Sequence, residues 1–415
     1  PLPVLATGVL QLLFNASDLA VVGQFGGADS QIEVGAVGSC GALINLIVNL
    51  FMGLAVGAGV IAAQDIGAKR YEAVHKLADT ALTVSLIGGV FGFFATEPLL
   101  RLMGTTKEIL PSAVPYMKAY FTGMPGCLLY NYLAAIQRSG GDTKHPLLFL
   151  AISGVANVGL NILMVAGFKL GALGVGIATS ASQYIAAAAI LIFMLREEGC
   201  CRVTGFALDG ERLKKMVLIG LPAGLQGTLF SLSNVIIQSS INAYGTYVVA
   251  GNAAGSNLDG FLYIAMNSVY TAALTFVGQN VGAGKYARIK KISFLCVGLV
   301  TFIGVSLGVV LVVFGEKLLL IFATGENKDA VVKAGMNRLL VMGTTYFLCG
   351  LMDVGCGIMR GMGKTILPMI VSLVGSCLFR IVWIATVCPL FPGNILALYI
   401  SYPISWFITA AVHYG

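Results

Sequence analysis

Apolar residues run along this chain in long blocks, each closed by a short stretch that holds Gly, Pro or charged residues. The blocks do not alternate with period two, as the strands of a membrane β-barrel would over about ten residues. They are continuous, and each is long enough to cross a hydrocarbon core roughly 30 Å thick as a helix. Reading between the breaks predicts about twelve spans. Six occupy 2–25, 32–63, 78–95, 115–136, 146–166 and 173–195, and six more occupy 216–244, 248–277, 292–314, 337–359, 368–387 and 395–412. The longest polar interval, R-E-E-G-C-C-R-V-T-G-F-A-L-D-G-E-R-L-K-K at 196–215, reads as a surface linker between an N-lobe, 1–195, and a C-lobe, 216–415. The expected fold is an all-α polytopic membrane protein.

Composition agrees with the pattern. Only 10% of the residues are charged and 57% are hydrophobic, with a mean hydropathy of +0.89, whereas a soluble domain carries roughly 25% charged residues. Of the 25 Lys and Arg, 16 fall in loops after even-numbered spans, 8 on the other side, and Arg380 within a span. Cations stay on the cytoplasmic side of a membrane, so the even loops are expected there. That bias accounts for the net charge of +7 and removes any reason to invoke nucleic acid. The nine Cys are scattered apart from the adjacent Cys200 and Cys201, which suits neither a disulfide framework nor a zinc site. No phosphate loop or H-E-x-x-H occurs, and His75, His145 and His413 are isolated. The reading is therefore of no enzyme and no cofactor. The chain starts at Pro1 and ends at Gly415 beside an apolar run, so both ends read as trimmed, with no cleavable signal peptide.

The second half restates the first. Q-D-I-G-A-K-R-Y at 64–71 matches Q-N-V-G-A-G-K-Y at 279–286, and R-S-G-G-D-T-K-H-P at 138–146 matches R-G-M-G-K-T-I-L-P at 360–368. L-F-N-A-S-D at 13–18 matches L-F-S-L-S-N at 229–234. The offsets drift only between 215 and 222, in order, which indicates two parallel copies. Six spans per copy insert both in the same direction, with a symmetry axis along the membrane normal and a cleft between the bundles. The repeated phrases read as cytoplasmic turns in which Gly67 and Gly282 permit the sharp bend.

Ionisable groups within a span are functional candidates by default. Three carboxylates qualify: Asp18, Asp259 and Asp353. Gln11 lies two turns before Asp18 on the same face, and Asn157 and Asn161 lie one turn apart in the fifth span. Arg380 needs an acidic or carbonyl partner, for which Asp353 is a candidate. Tyr130, Asn131, Tyr263, Met266, Asn267, Tyr346 and Met352 are candidates for a substrate cavity, because aromatic and thioether groups accept flat cations.

Together the R-S-G-G-D-T and R-G-M-G-K-T loops, the Q-x-x-G-A turns and F-N-A-S-D-L-A-V-V-G-Q-F-G in the first span resemble the multidrug and toxic compound extrusion (MATE) family over essentially the whole chain. The resemblance implies two six-helix lobes in a V, in a bacterial inner membrane, acting as a monomer. It also implies alternating-access export of amphipathic or cationic organic compounds driven by inward flow of H+ or Na+. In the branch with a cation site in the first lobe, Asp18, Asn157 and Thr179 match the family's positions, while Asn161 stands where the family has a second Asp. A sodium ion would be held by Asp18, Asn157, Asn161 and Thr179. With one acid fewer, a proton on Asp18 is the preferred coupling ion, since burial disfavours the charged carboxylate. Two alternatives are a flippase of lipid-linked precursors, which the scarcity of cations within spans argues against, and a receptor or structural protein that transports nothing.

Overall fold

The computed structural model describes residues 2–25, 30–102, 110–321 and 328–415. Among these, helices follow one another without a strand. The first half holds α1 (Leu2–Phe25), α2 (Ser30–Gly67), α3 (Tyr71–Leu102), α4 (Leu110–Thr122), α5 (Met124–Ser139), α6 (Lys144–Ile162) and α7 (Gly171–Arg196). The second holds α8 (Gly210–Asn242), α9 (Thr246–Gly282), α10 (Tyr286–Leu320), α11 (Lys328–Gly361), α12 (Ile366–Ser372), α13 (Phe379–Thr386), α14 (Ile395–Tyr399) and α15 (Ser401–Tyr414). Each of the twelve predicted spans coincides with one helix or one broken pair. Nine helices among the described residues are long and apolar enough to cross a membrane. On α10, Phe294, Phe302, Val305, Val309 and Val313 are exposed at helical spacing, so this face meets lipid rather than water.

The fourth span breaks where Pro125 enters the first turn of α5, since proline cannot donate the hydrogen bond that would continue α4. Beside the break α7 donates to carbonyls at the end of α4: Ser180 Oγ to Ala119 O, and Tyr184 OH to Thr122 O at 2.6 Å. Fifth spans in both halves contain a π turn, Leu163–Gly167 after α6 and Leu373–Leu378 after α12. Such turns are frequent at functional sites.

The repeated phrases form one kind of turn, but not around the expected glycines. Gly67 and Gly282 still belong to α2 and α9. The left-handed residue comes two positions later, as Lys69 (φ 60°) in one copy and Gly284 (φ 69°) in the other. In both, the next amide closes back over the helix end, Arg70 N–H to Asp65 O and Lys285 N–H to Asn280 O, each at 2.8 Å. This is a helix C-cap with a six-residue closure. The loops around Gly141 and Gly363 repeat it, with Asp142 N–H to Gln137 O at 3.1 Å and Lys364 N–H to Met359 O at 2.9 Å.

The chain divides into two compact units, Leu2–Thr228 and Leu229–Gly415, with the boundary inside α8. Each has its own apolar core, one around Met117, Leu128 and Ile190, the other around Val269, Val300 and Leu339. The polar interval 197–209 is not the free surface loop that its composition suggests. Asp79 on α3 accepts from Thr204 N–H at 2.8 Å and Gly205 N–H at 3.0 Å, and Gln137 of α5 donates to Glu197 at 2.6 Å. Asp65 at the end of α2 binds Arg70 at 2.7 Å and Arg212 at 2.5 Å. Asp209 caps α8 by accepting from Glu211 and Arg212 N–H, and those bonds hold its carboxyl below the usual range. Lys107, expected among the odd-loop cations, lies outside the described residues.

Candidate cation-coupling site

The approach of α1 to α6 is set by a ring in a notch. The Phe14 ring occupies the space where Gly154 has no side chain, and a Cβ there would fall 1.7 Å from Phe14 Cζ. One turn beyond Phe14 is Asp18, and two turns beyond Gly154 is Asn161. Asn161 Nδ2 donates to Asp18 Oδ1 at 2.5 Å and to Asn157 Oδ1 at 3.1 Å. Asn157 Nδ2 donates onward to Ser182 Oγ of α7 at 3.4 Å, and Ser182 Oγ to the Thr179 carbonyl at 2.7 Å. Tyr116 and Tyr120 of α4 lie within the field of Asp18.

Asp18, Asn157, Asn161 and Thr179 are thus brought together, as their spacing suggests. Gln11 is exposed and bonds to none of the four. Ser182 was not anticipated; its place one turn beyond Thr179's neighbour Ala178, on the helix that faces Asn157, was the available signal. Two buried oxygens in the cluster, Asn161 Oδ1 and Thr179 Oγ1, have no hydrogen-bond partner. A buried acceptor without a donor is costly, so this arrangement is suited to receive a proton carried by Asp18 or a small hard cation.

The second unit organises its charges differently. Asp259 of α9 is paired with Arg338 of α11, whose Nε and Nη2 each reach Oδ2 at 2.8 Å. Arg338 Nη1 donates to Asn252 Oδ1 at 2.8 Å, which also accepts Tyr399 OH at 3.2 Å. Sequence position assigned Arg338 to an odd-numbered loop; the structure buries it, because α11 begins nine residues earlier than the apolar run suggests. Arg360, counted with an even loop, is also buried and donates to Tyr270 OH at 2.7 Å. Asp353 does not pair with Arg380. It lies in the field of Arg360 and beside Tyr263, whereas Arg380 Nε donates to Ser405 Oγ of α15 at 2.8 Å. With Arg338, Arg360 and Arg380 all buried, cations within the spans are not scarce in this half, and the objection to a flippase that rested on their scarcity falls.

Among the cavity candidates, Tyr263 and Asn267 are exposed on α9. Tyr130, Met266, Tyr346 and Met352 are buried in the cores. Tyr130 OH donates to Pro146 O at 2.7 Å, Tyr346 packs against Trp406, and Met352 Sδ accepts from Ser376 at 3.2 Å. Asn131 spends its amide on the Cys127 carbonyl of its own helix at 2.8 Å.

Long apolar helices with a lipid-facing surface and a buried cluster around one acid define a multi-pass membrane transporter. The MatE family model matches residues 3–163 and 222–386, the same two stretches that the internal repeat relates, and the chain belongs to that family of multidrug efflux transporters. It is 25% identical to the probable multidrug resistance protein YoeA of Bacillus subtilis, over 100% of this chain and 91% of that protein. With the multidrug export protein MepA of Staphylococcus saprophyticus it shares 24% identity over 90% of this chain and 83% of that one. Among solved structures, a transporter of the MOP superfamily from Pyrococcus furiosus superposes with a TM-score of 0.91 at 20% identity, covering 100% of this chain and 92% of that one. An outward-facing MATE family multidrug resistance transporter superposes with a TM-score of 0.89, also at 20% identity, with the same coverage. The chain is a transporter, not an enzyme, and its bacterial relatives place it in the inner membrane.

Proposed function

We propose that the protein exports small amphipathic organic molecules, cations among them, in exchange for a proton taken up at Asp18. The carrying observation is the Asp18–Asn161–Asn157–Ser182 chain beside two buried oxygens without donors. A protonated Asp18 becomes a donor and satisfies Thr179 Oγ1 or Asn161 Oδ1. Once ionised it holds its charge against the Asn161 amide, since no salt bridge among the described residues reaches it. One proton neutralises the single carboxylate fully. The two lobes, 1–195 and 216–415 joined by 196–215, are the proposed moving parts of alternating access, with the even loops cytoplasmic.

Sodium is the second reading, favoured by the Asp18 carboxylate with Asn161 Oδ1 and Thr179 Oγ1 as oxygen ligands. Tetraphenylphosphonium added to detergent-solubilised protein in weakly buffered solution at neutral pH separates them. The proton reading expects about one proton released per bound cation by the parent and none by Asp18→Asn. Release abolished by sodium alone supports the sodium reading, and equal release from both proteins contradicts any role for Asp18.

A further inference from the structure

The duplicated turn answers its charges differently in the two copies. Across 64–76 three cations meet two acids: Arg70 pairs with Asp65 at 2.7 Å, and Lys76 with Glu72 at 3.3 Å. At the matching positions of the second copy Asn280 stands for Asp65 and Ala287 for Glu72. Lys285, Arg288, Lys290 and Lys291 follow one another there, and the sequence holds no acid between Asp259 and Glu316. All four are exposed, and among the described residues none of them enters a salt bridge. Arg288 and Lys291, one turn apart on α10, repel each other, and cations in the first turn oppose the positive end of the helix. An anion on this surface would relieve both costs. The adjoining surface is apolar. By helical spacing Arg288 and Lys291 continue the stripe that runs on through Leu295, Phe302, Val305 and Val309, all of them exposed, and Lys290 lies one turn before the exposed Phe294.

We infer that this end of α10 binds an anionic phospholipid of the inner leaflet, its phosphate at Arg288 and Lys291 and its acyl chains along Leu295 and Phe302. A phospholipid meets both halves of the surface, whereas a soluble acidic partner would meet the cations alone. The methylene stems of Lys and Arg lie along apolar surface while their charged ends stay at headgroup level, and clusters of four or more such residues just cytoplasmic of a spanning helix attract anionic headgroups. The matching turn of the first copy, with its cations paired to acids, lacks this attraction and serves as an internal control. The inference rests on the cytoplasmic placement of the even loops proposed above, and not on what the protein transports.

The test is thermal unfolding of the full chain in a mild detergent with added dioleoyl phosphatidylglycerol or dioleoyl phosphatidylcholine. Phosphatidylglycerol should raise the unfolding temperature of the parent by several degrees more than phosphatidylcholine does, and about 1 M salt should remove most of that difference. The fourfold variant Lys285→Gln/Arg288→Gln/Lys290→Gln/Lys291→Gln should lose the difference, while Lys69→Gln/Lys76→Gln in the first copy keeps it. Where the fourfold variant does not fold, Arg288→Gln/Lys291→Gln carries the test and should lose at least half of it. Equal shifts with the two lipids in the parent, or equal losses in the variants of the two copies, overturn the inference. So does a parent that soluble poly-glutamate or inorganic phosphate stabilises as strongly as phosphatidylglycerol, which would assign the patch to an acidic protein segment or a free anion. Labelling of Lys285→Cys in intact cells by a maleimide that does not cross membranes would contradict the inner-leaflet assignment. The readout involves no transport, so failure of the exchange reading and failure of this site are seen separately.

Discussion

Asn161 turns its amide nitrogen towards Asp18 at 2.5 Å, which stabilises the ionised acid yet leaves the Asn161 oxygen unpartnered. Replacing Asn161 by Asp would exchange that donor for a second negative charge among three oxygens. Sodium should then stabilise Asn161→Asp against thermal unfolding by several degrees more than it stabilises the parent; equal shifts would contradict a cation position at this residue. That Asn157 and Asn161 share a face follows from helical spacing alone. That Asn161 reaches Asp18 does not, because it depends on how α1 and α6 are rotated about their axes. Arg380 shows the same limit: a charge search along the chain finds Asp353, but packing of α13 against α15 supplies Ser405. Backbone strain at Lys69 is a residue-scale matter too. A left-handed Lys costs ~1 kcal/mol relative to Gly, so Lys69→Gly should raise the unfolding temperature and Gly284→Lys lower it. Shifts of the same sign, or none in either variant, would show that the turns are not equivalent.

Between elements, contacts of single side chains decide the geometry. A larger residue at 154 would collide with Phe14 and push α1 from α6, at a cost of about 1 to 3 kcal/mol for an overpacked contact. Gly154→Val is expected to lose transport through displacement of Asp18, and Phe14→Ala in the same chain to restore part of it; no rescue would separate the notch from the site. The linker that precedes α8 makes a separate prediction. A hydrogen bond from the neighbouring Cys201 thiol lowers Cys200 to about 7, while that same bond and burial push Cys201 up. Thiolate is the reactive form, so alkylation of Cys200 by iodoacetamide should rise with pH through a midpoint near 7, and Cys201→Ala should move that midpoint upward. A midpoint at the ordinary thiol value in both proteins would contradict the pair's hydrogen bond. Composition marks this interval as polar and nothing more; its docking needs Asp79 and Asp65, which are 125 and 147 residues from their partners Thr204 and Arg212 and show no pattern linking them to it.

At the scale of the molecule, the span pattern and the duplication were legible because both are periodic, and the family match to 3–163 and 222–386 follows the same periodicity. The unequal chemistry of the two copies was only half visible. Asp18 against Asn234 could be read directly, whereas the buried arginines of the second unit could not, since Arg338 and Arg360 lie near the polar ends of long helices and look like loop residues. The two units differ accordingly, with Asp18 and its amide cluster in one and the buried Arg338, Arg360 and Arg380 in the other. The central claim concerns Asp18, and the most direct measurement is tetraphenylphosphonium transport in proteoliposomes under a proton gradient and, separately, a sodium gradient, for the parent and Asp18→Asn. The account predicts that the proton gradient drives the parent and that the variant falls to the rate of empty liposomes under either gradient. Gradient-driven transport that survives in Asp18→Asn would contradict it.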